Sequence, residues 1–217
     1  MAAGSGSRMG GKIPKQYLQI LGKPIIIHTL EKFRKFDPDI QMVVVLAPEH
    51  RELWEQLSVS YEIAGGLTTA PGGATRFDSV KNGLSYIDQA ELIGIHDAVR
   101  PLVSQGTLTR CYDAAIRQGS GIPVLEMDES VRMLDRQGGS KHLERSRLRR
   151  VQTPQVFLSE QILEAYQQAN NPDFTDDASV YEAKFGPVTM VEGNQENIKI
   201  TTPPDLLLAK QLIASPD

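Results

Sequence analysis

Short apolar runs alternate with amphipathic segments along this chain, and this alternation limits the possible folds more than any other feature. Residues 41–47 (QMVVVLA) and 92–96 (LIGIH) are rich in β-branched side chains, as expected of strands buried on both faces of a parallel sheet. Residues 24–36 place apolar side chains at helical spacing behind a proline, which predicts a helix. The alternation therefore predicts an α/β fold with a mostly parallel sheet and helices on both faces.

The same criteria locate the remaining elements. Further helices are predicted at residues 49–57, 76–87, 107–118, 160–168, 176–184 and 204–214, and further strands at 121–124, 188–191 and 198–200. One segment departs from the alternation: residues 130–134 and 143–152 are typical of two strands joined by a glycine turn. We expect one domain, residues 1–217, that includes a projecting, charged β-hairpin arm at about 128–152.

Composition excludes several classes of protein. The chain has 217 residues, of which 40% are hydrophobic and 23% charged, as in ordinary globular proteins. A net charge of -4 argues against general nucleic-acid binding. No apolar run is long enough for a membrane helix, and the first residues lack the pattern of a signal peptide, so we expect no membrane association and a cytoplasmic location. The single cysteine, Cys111, cannot form an intramolecular disulfide and is expected to be a buried, inert thiol.

The chain opens with a glycine-rich loop, MAAGSGSRMGGKIPKQY. It satisfies G-x-x-x-x-G-K, but Ile13 stands where a Walker loop needs a hydroxyl, and a dinucleotide fingerprint would need glycine at Met9. Glycines at 4 and 6 nevertheless allow backbone N–H groups to converge on an anion, with positive charge nearby, which suits a triphosphate. The alternative is an ordinary glycine-rich connection with solvated basic residues.

A longer series of motifs covers essentially the whole chain. It consists of A-A-G-x-G-x-R-M at 2–9, P-K-Q-Y at 14–17, H-D-A-V-R-P at 96–101, T-P-Q at 153–155, T-D-D-A-S at 175–179 and V-E-G-x-x-x-N-I-K-I-T at 191–201. In this order the motifs resemble those of the 2-C-methyl-D-erythritol 4-phosphate cytidylyltransferases of the non-mevalonate isoprenoid pathway. The resemblance implies a Rossmann-like three-layer nucleotidyltransferase fold, and an enzyme that uses Mg²⁺ to transfer CMP from CTP to a polyol phosphate with release of pyrophosphate.

The resemblance also assigns roles to individual residues. The catalytic cations are Arg8 and Lys15. The nucleotide-binding residues are Ala2, Ala3, Gly4, Gly6, Gly72, Gly73, Ser79, Asp97 and Ala98. The acceptor-binding residues are Arg100, Ser130, Arg145, Thr153, Thr175 and Lys199. The chain has Ala74 and Thr75 where relatives often carry an acidic residue, and Ser130 where threonine is commoner but the hydroxyl is kept.

Several of these residues have plainer interpretations. Ser79 could simply cap a helix, and Asp97 with Arg100 could form a structural ion pair. Lys199 could be an exposed residue on the predicted strand 198–200. On a strand, Arg145, Arg147 and Arg149 would share one face, which is commonly a solvated face, and nucleic-acid contact remains a third option.

The chemistry implied by the resemblance needs no general base. A phosphate monoester has its second pKa near ~6, so the attacking oxygen is already anionic at neutral pH. Catalysis then comes from positioning and from cations that neutralise charge on phosphorus. Mg²⁺ should be held mainly by the CTP phosphates and water, and no set of protein ligands for it is predicted.

The resemblance has two further implications. Family members form homodimers through such arms, each arm reaching toward the neighbour's site. The glycine loop of the family follows a central strand, whereas here Met1 occupies the last strand position, so we expect that roughly five to eight residues precede Met1 in the native chain. Two other functions stay open: cytidylyl transfer to ribitol 5-phosphate, and nucleotide binding without catalysis.

Overall fold

The structure, a computed structural model, describes residues 1–4, 13–61, 63, 67–169 and 174–215. The helices in this part of the chain are α1 (Ile25–Phe36), α2 (Arg51–Ser60), α3 (Arg76–Leu84), α4 (Gln105–Gln118), α5 (Ser159–Gln168), α6 (Asp177–Phe185) and α7 (Pro203–Ala214). The strands are β1 (Gln19–Ile20), β2 (Lys23–Pro24), β3 (Met42–Leu46), β4 (Leu67–Pro71), β5 (Leu92–Ile95), β6 (Ser120–Glu126), β7 (Val131–Leu134), β8 (Ser140–Leu143), β9 (Arg149–Val151), β10 (Gln155–Leu158) and β11 (Met190–Glu192). The predicted α/β class is confirmed.

The central strands run mostly in one direction. β3 and β4 pair in parallel, and so do β6 and β11. β10 lies between β5 and β6 and is antiparallel to both, so β5 and β6 point the same way. The predicted, mostly parallel sheet is therefore present, with β10 as an antiparallel member at its middle.

Helices cover both faces of this sheet, which makes three layers. Two successive residues of β10 show this, because neighbouring side chains of a strand point to opposite faces. Phe157 packs in a cluster with residues of α3, α5 and α6. Val156 packs against Cys111 and Ala115 of α4. The buried thiol expected at Cys111 is confirmed, and burial raises its pKa to about 12.

The first two residues lie between β3 and β5. Ala2 forms a parallel bridge with Leu46, and the backbone nitrogen of Met1 donates to the carbonyl of His96 at 2.7 Å. Beyond Met1, β3 and β5 border a cavity of about 1140 Å³ with apolar walls. No strand among the described residues fills this space, and the expectation of native residues before Met1 stays a prediction.

Sequence periodicity failed to predict the central strands β4 and β10, and it predicted a strand at residues 198–200 that is not one. β4 has the sequence LTTAP, whose polar residues and proline hide a strand, and β10 is four residues long and runs directly into α5. Residues 198–200 were predicted to form a strand and do not; instead Ile200 donates a single backbone hydrogen bond to Val99. The alternating apolar residues of this segment are explained by the burial of Ile200 beside β1 and α7, and the segment does not join a sheet.

The arm exists but its boundaries differ from those predicted. Its hairpin is β7 paired with β8, so the second strand begins at Ser140, within the predicted turn. Residues 143–152 do not form one strand: Arg145–Arg147 is a 3₁₀ turn, and β9 returns to pair with β6. The prediction that Arg145, Arg147 and Arg149 share one face of a strand is therefore wrong, because side chains in a 3₁₀ turn do not alternate between two faces.

In the described part of the chain, no helix combines the length and the apolarity that crossing a membrane requires.

Candidate active site

A cavity of about 500 Å³ lies where the central strands end. Its volume is within the roughly 300–1,000 Å³ typical of small-molecule sites. Segments that follow β4 and β5 meet there with the first residues of the chain, and the carboxyl ends of parallel strands are where open sheets bind ligands. The lining residues include Ala2, Ala3, Gly4, Lys15, Gly73, Thr75, Arg76, Ser79, Asp97 and Lys199.

Buried Gln16 fixes the start of the glycine loop. Its side-chain amide donates to the carbonyl of Ala2 at 2.8 Å and to that of Gly4 at 3.3 Å. The N–H of Ala2 donates to Val45 of β3 at 2.8 Å. Residues 2–4 are thus held from two sides at the cavity wall. The predicted residues Gly6 and Arg8 lie outside the described residues, while Lys15 is half-buried in the wall.

The glycine pair before α3 is needed for close packing. A Cβ on Gly72 would lie 2.6 Å from the Cβ of Ala3 and 3.2 Å from the carbonyl oxygen of Leu46, so only glycine lets this loop approach residues 2–4. The N–H of Gly72 donates to Leu46 at 2.6 Å, and that of Gly73 donates to the Ser79 hydroxyl at 2.9 Å. The N–H groups of both glycines are therefore already bonded within the protein.

Ser79 and Thr75 organise the first turn of α3. The Ser79 hydroxyl donates to the carbonyl of Thr75 at 2.9 Å. Thr75 is the N-cap and forms a capping box with Asp78. The capping interpretation of Ser79 is wrong, because the N-cap is Thr75; the Ser79 hydroxyl instead joins the preceding loop to the helix. Its predicted part in nucleotide binding stays a prediction, as it does for Gly72 and Gly73.

Positively charged side chains surround Asp97 at the site. Its Oδ2 lies 3.1 Å from Lys199 Nζ and 3.2 Å from Arg100 Nε. Burial alone would raise the pKa of this carboxyl, but Lys199, Arg100 and Arg76 outweigh burial and hold the pKa well below its usual range. Asp97 is therefore an anion at any pH at which the protein works. Asp97 and Lys199 face the cavity, while Arg100 lies behind Asp97 and also donates to the carbonyl of Asn197 at 2.7 Å.

A chain of hydrogen bonds orients the Asp97 loop. The N–H of Asp97 donates to the Thr153 hydroxyl at 3.1 Å, and Thr153 Oγ1 lies 3.1 Å from His96 Nδ1. His96 Nε2 lies 3.1 Å from the carbonyl oxygen of Arg100, so Nε2 carries the proton and Nδ1 accepts from Thr153. Burial lowers the pKa of His96 to about 3. With this low pKa and with both ring nitrogens bonded inside the protein, His96 is a weak proton acceptor at neutral pH.

The other predicted binding residues occupy different surroundings. Thr153 and Ala98 are buried, and their polar groups bond within the protein: the N–H of Ala98 donates to Met1 at 3.0 Å and its carbonyl accepts from Thr29 at 2.9 Å. Thr175 is exposed, directly before the α6 N-cap Asp176. Ser130 and Arg145 are exposed on the arm and do not line the cavity. Their ligand-binding roles stay predictions.

Sequence reasoning overlooked three residues of this site. Gln16 belongs to the P-K-Q-Y motif, and the motif itself was the available signal. Arg76 lines the cavity and pairs with Asp177, which is fully buried at the start of α6. Residue spacing gave no signal for this pair, because 101 positions separate its members.

Comparison with known proteins identifies relatives along nearly the whole chain. Residues 1–215 match the family described as "IspD: 2-C-methyl-D-erythritol 4-phosphate cytidylyltransferase". The protein of that name from Bacteroides thetaiotaomicron is 46% identical over 213 residues, which are 98% of this chain and 97% of the relative. The one from Porphyromonas gingivalis ATCC 33277 is 44% identical over 217 residues, 99% of this chain and 96% of the relative.

Solved structures of similar proteins share the fold. The 4-diphosphocytidyl-2C-methyl-D-erythritol synthase of Anaerococcus prevotii superposes with a TM-score of 0.84 at 25% identity, covering 99% of this chain and 95% of that one. The 2-C-methyl-D-erythritol 4-phosphate cytidylyltransferase of Thermus thermophilus gives a TM-score of 0.78 at 31% identity, covering 99% of this chain and 96% of that one.

Proposed function

The chain belongs to the 2-C-methyl-D-erythritol 4-phosphate cytidylyltransferase family, and we propose that it transfers CMP from CTP to the phosphate of 2-C-methyl-D-erythritol 4-phosphate. The products are 4-diphosphocytidyl-2-C-methyl-D-erythritol and pyrophosphate. One observation of the site carries the proposal: Lys15 and Lys199 face one cavity at the ends of the central strands, beside residues 2–4 and 73–79. A cavity with several cations suits a reaction whose substrates are both phosphates.

The reaction requires charge neutralisation and alignment. An oxygen of the acceptor phosphate attacks the α-phosphorus of CTP, a new P–O bond forms, and the bond to the leaving pyrophosphate breaks. We assign Arg8 and Lys15 to the charge that develops on the α-phosphate and pyrophosphate. The attacking phosphate is already anionic, so no protein base is needed, and the low pKa of His96, which makes it a weak base, is compatible with such a route.

We assign the nucleotide to the wall made by residues 2–4 and by the loop before α3. The backbone there is held closely by Gln16 and by the contact of Gly72 with Ala3. Rigid backbone suits recognition of a pyrimidine edge, because fixed N–H and C=O groups lose little entropy on binding. The acceptor is assigned to the side of Lys199 and Thr175.

A divalent metal, which we propose is Mg²⁺, fits this site as a partner of the triphosphate. Asp97 is the carboxylate among the residues that line the cavity, and it is ionised. Among the described residues, no three His, Cys, Asp or Glu side chains come together as a metal site. Mg²⁺ commonly binds through one or two carboxylates, phosphate oxygens and water, so Asp97 would hold it on the protein side. When bound, the ion would neutralise charge on the phosphates.

We also propose a homodimer that pairs through the arm, in the cytoplasm. The arm carries exposed apolar side chains, including Met133 and Leu134, which is 75% exposed. β7 and β8 pair only with each other among the described strands, so this hairpin stands apart from the main sheet. Its exposed apolar surface and the position of Ser130 and Arg145 outside their own cavity both support a site completed by a neighbour's arm.

The decisive experiment is a turnover assay with the full chain, CTP and Mg²⁺. We expect pyrophosphate release with 2-C-methyl-D-erythritol 4-phosphate and a cytidylylated product by mass spectrometry, lost in EDTA and restored by Mg²⁺. Ribitol 5-phosphate is the matched acceptor, and a strong preference for it would overturn the choice of substrate. Release with neither acceptor would favour a nucleotide-binding protein without catalysis.

A further inference from the structure

Asp177 is a fully buried carboxylate that makes three strong hydrogen bonds. Arg76 donates to both of its oxygens, Nη1 to Oδ1 at 2.8 Å and Nη2 to Oδ2 at 2.5 Å. The hydroxyl of Tyr166 donates to Oδ1 at 2.6 Å. Such a bidentate pair fixes the plane of the guanidinium as well as its distance. The carboxylate is thus fully used inside the protein.

The two members of this ion pair lie at the starts of two different helices, and Arg76 lines the cavity while Asp177 is buried behind it. Arg76 is the first residue of α3, directly after the N-cap Thr75, and its side chain is 29% exposed and lines the cavity. Asp177 is the first residue of α6, two positions after Thr175. The first turn of α3 carries the proposed nucleotide side, and the start of α6 carries the proposed acceptor side. The pair therefore joins the two binding regions directly.

Neighbouring contacts connect the same elements. Phe77, next to Arg76, stacks on Tyr166 with ring centroids 4.9 Å apart. Gln155 donates to Asp176 at 3.0 Å and accepts from the N–H of Ala178 at 2.8 Å, so it clamps the start of α6. Gln155 lies two residues after Thr153, whose hydroxyl accepts from the N–H of Asp97, so one short segment contacts both the start of α6 and the Asp97 loop.

The pair also places a fixed charge at the site. Burial opposes ionisation of Arg76, but Asp177 outweighs burial and keeps the pKa of the guanidinium above its ordinary value. In turn Arg76 contributes to the low pKa of Asp97. If Asp177 were removed, the charge at the cavity wall would lose its defined position.

We propose that Asp177 is a positioning residue that acts through Arg76 to hold the nucleotide and acceptor sides of the cavity in register for transfer. The inference rests on the proposed cytidylyl transfer. It goes beyond fold stability, because an ion pair between two binding regions sets the distance between two substrates. A displacement of about 1 Å between reacting groups can lower a rate by about a hundredfold.

The test compares Asp177→Asn with Lys184→Met. Lys184 forms an ion pair between α6 and Glu164 of α5, so its loss also removes an ion pair made by α6 but leaves the cavity untouched. At a temperature well below the Tm of each variant, we expect Asp177→Asn to lower kcat/KM for the acceptor by about a hundredfold. Lys184→Met should stay within about threefold of the wild type. Equal kcat/KM in the wild type and Asp177→Asn would overturn the proposal.

A double-variant cycle separates positioning from general loss of stability. Arg76→Lys keeps the charge but loses the bidentate geometry, so it also serves if Asp177→Asn does not fold, with an expected loss in kcat/KM of at least about tenfold. Because both changes break one linkage, the double variant should be no worse than the poorer single variant. Additive losses, or an unchanged kcat/KM in Arg76→Lys, would show that the pair does not act as a unit.

CTP binding measured by calorimetry gives a readout that does not need turnover. We expect Asp177→Asn to bind CTP about tenfold more weakly, and Lys184→Met to bind it like the wild type. If the wild-type chain binds CTP but releases no pyrophosphate with either acceptor, the proposed function is wrong. The comparison of CTP affinities would still test the role of the ion pair. CTP affinity that is equal in all three chains would overturn the inference.

Discussion

Asp97 interacts with most of the positively charged side chains at the site. It contacts Lys199 and Arg100 directly, and Arg76 acts on it across the cavity wall. Its backbone is held by Thr153, so both the carboxylate and its position are determined by residues distant in sequence. The charge of Asp97 therefore contributes to the stability of the fold, and this contribution depends on pH.

The contribution of Asp97 to stability should disappear in acid. Its pKa in the folded protein lies below the unfolded value of about 3.9, so the ionised form stabilises the fold above that pH and the contribution is lost as pH falls toward the folded pKa. Urea unfolding of the wild type and Asp97→Asn checks this. The difference in unfolding free energy should be equal at pH 7 and pH 5 and smaller by about 1 kcal/mol at pH 3. A difference independent of pH would contradict the assignment.

At the scale of elements, the site depends on how closely the loop before α3 approaches the first residues of the chain. Gly72 touches Ala3, and the capping box at Thr75 and Asp78 starts the helix immediately afterwards. The loop has little freedom to move, because Gly72 is also hydrogen-bonded to the end of β3. The wall assigned to the nucleotide is therefore built by packing between elements.

Gly72→Ala should disturb this wall. The new Cβ would meet both the side chain of Ala3 and the backbone of Leu46, and backbone cannot yield as a flexible side chain does. We expect a loss of about 1–3 kcal/mol in unfolding free energy and weaker CTP binding by calorimetry. Gly106→Ala is the matched control, since Gly106 lies in the first turn of α4 and its Cβ would meet mainly the far end of Arg110. Similar effects of both changes would argue against close packing as the role of Gly72.

At the scale of the molecule, the question is whether one chain makes a complete site. Lys15 lines the cavity of its own chain, whereas Arg145 lies on the arm and donates to the carbonyl of Asp128 at 2.7 Å. A homodimer in which arms reach across would bring the two residues together from different chains. Complementation between two inactive chains can test this arrangement.

Lys15→Ala and Arg145→Ala should each lower kcat by about 10²–10³-fold when expressed alone. Co-expression with two different affinity tags and tandem purification yields the mixed dimer. If arms act across the interface, one of its two sites is intact, and we expect about half of the wild-type activity. In the control, the mixed dimer is made with Arg117→Ala instead of Arg145→Ala. Arg117 lies on the exposed face of α4, so this chain should remain active when it is expressed alone. Inactive mixed dimers would show that Lys15 and Arg145 serve the same chain's site.

Local patterns were sufficient for the helices and for the class of fold. The helices at residues 24–36 and 107–118 could be recognised by their apolar periodicity because one face of each is buried, as at Phe33 and Leu108. The family resemblance likewise pointed to loops beside the cavity, since Gly73, Asp97 and Lys199 all line it. By contrast, polar residues and a proline hide β4, and β10 is only four residues long and runs directly into α5, so pairing with neighbouring strands is what makes them strands.

The sequence by itself determined an α/β chain with a projecting arm, the order of its motifs and the family to which they point. Only the tertiary structure decided which groups meet: Gln16 with the carbonyl of Ala2, Thr153 with the N–H of Asp97, and Arg76 with Asp177. The physical reason is the range of the interactions. Periodicity records whether a side chain faces the core, whereas a buried ion pair or hydrogen bond depends on the folded path that brings its two partners within about 3 Å.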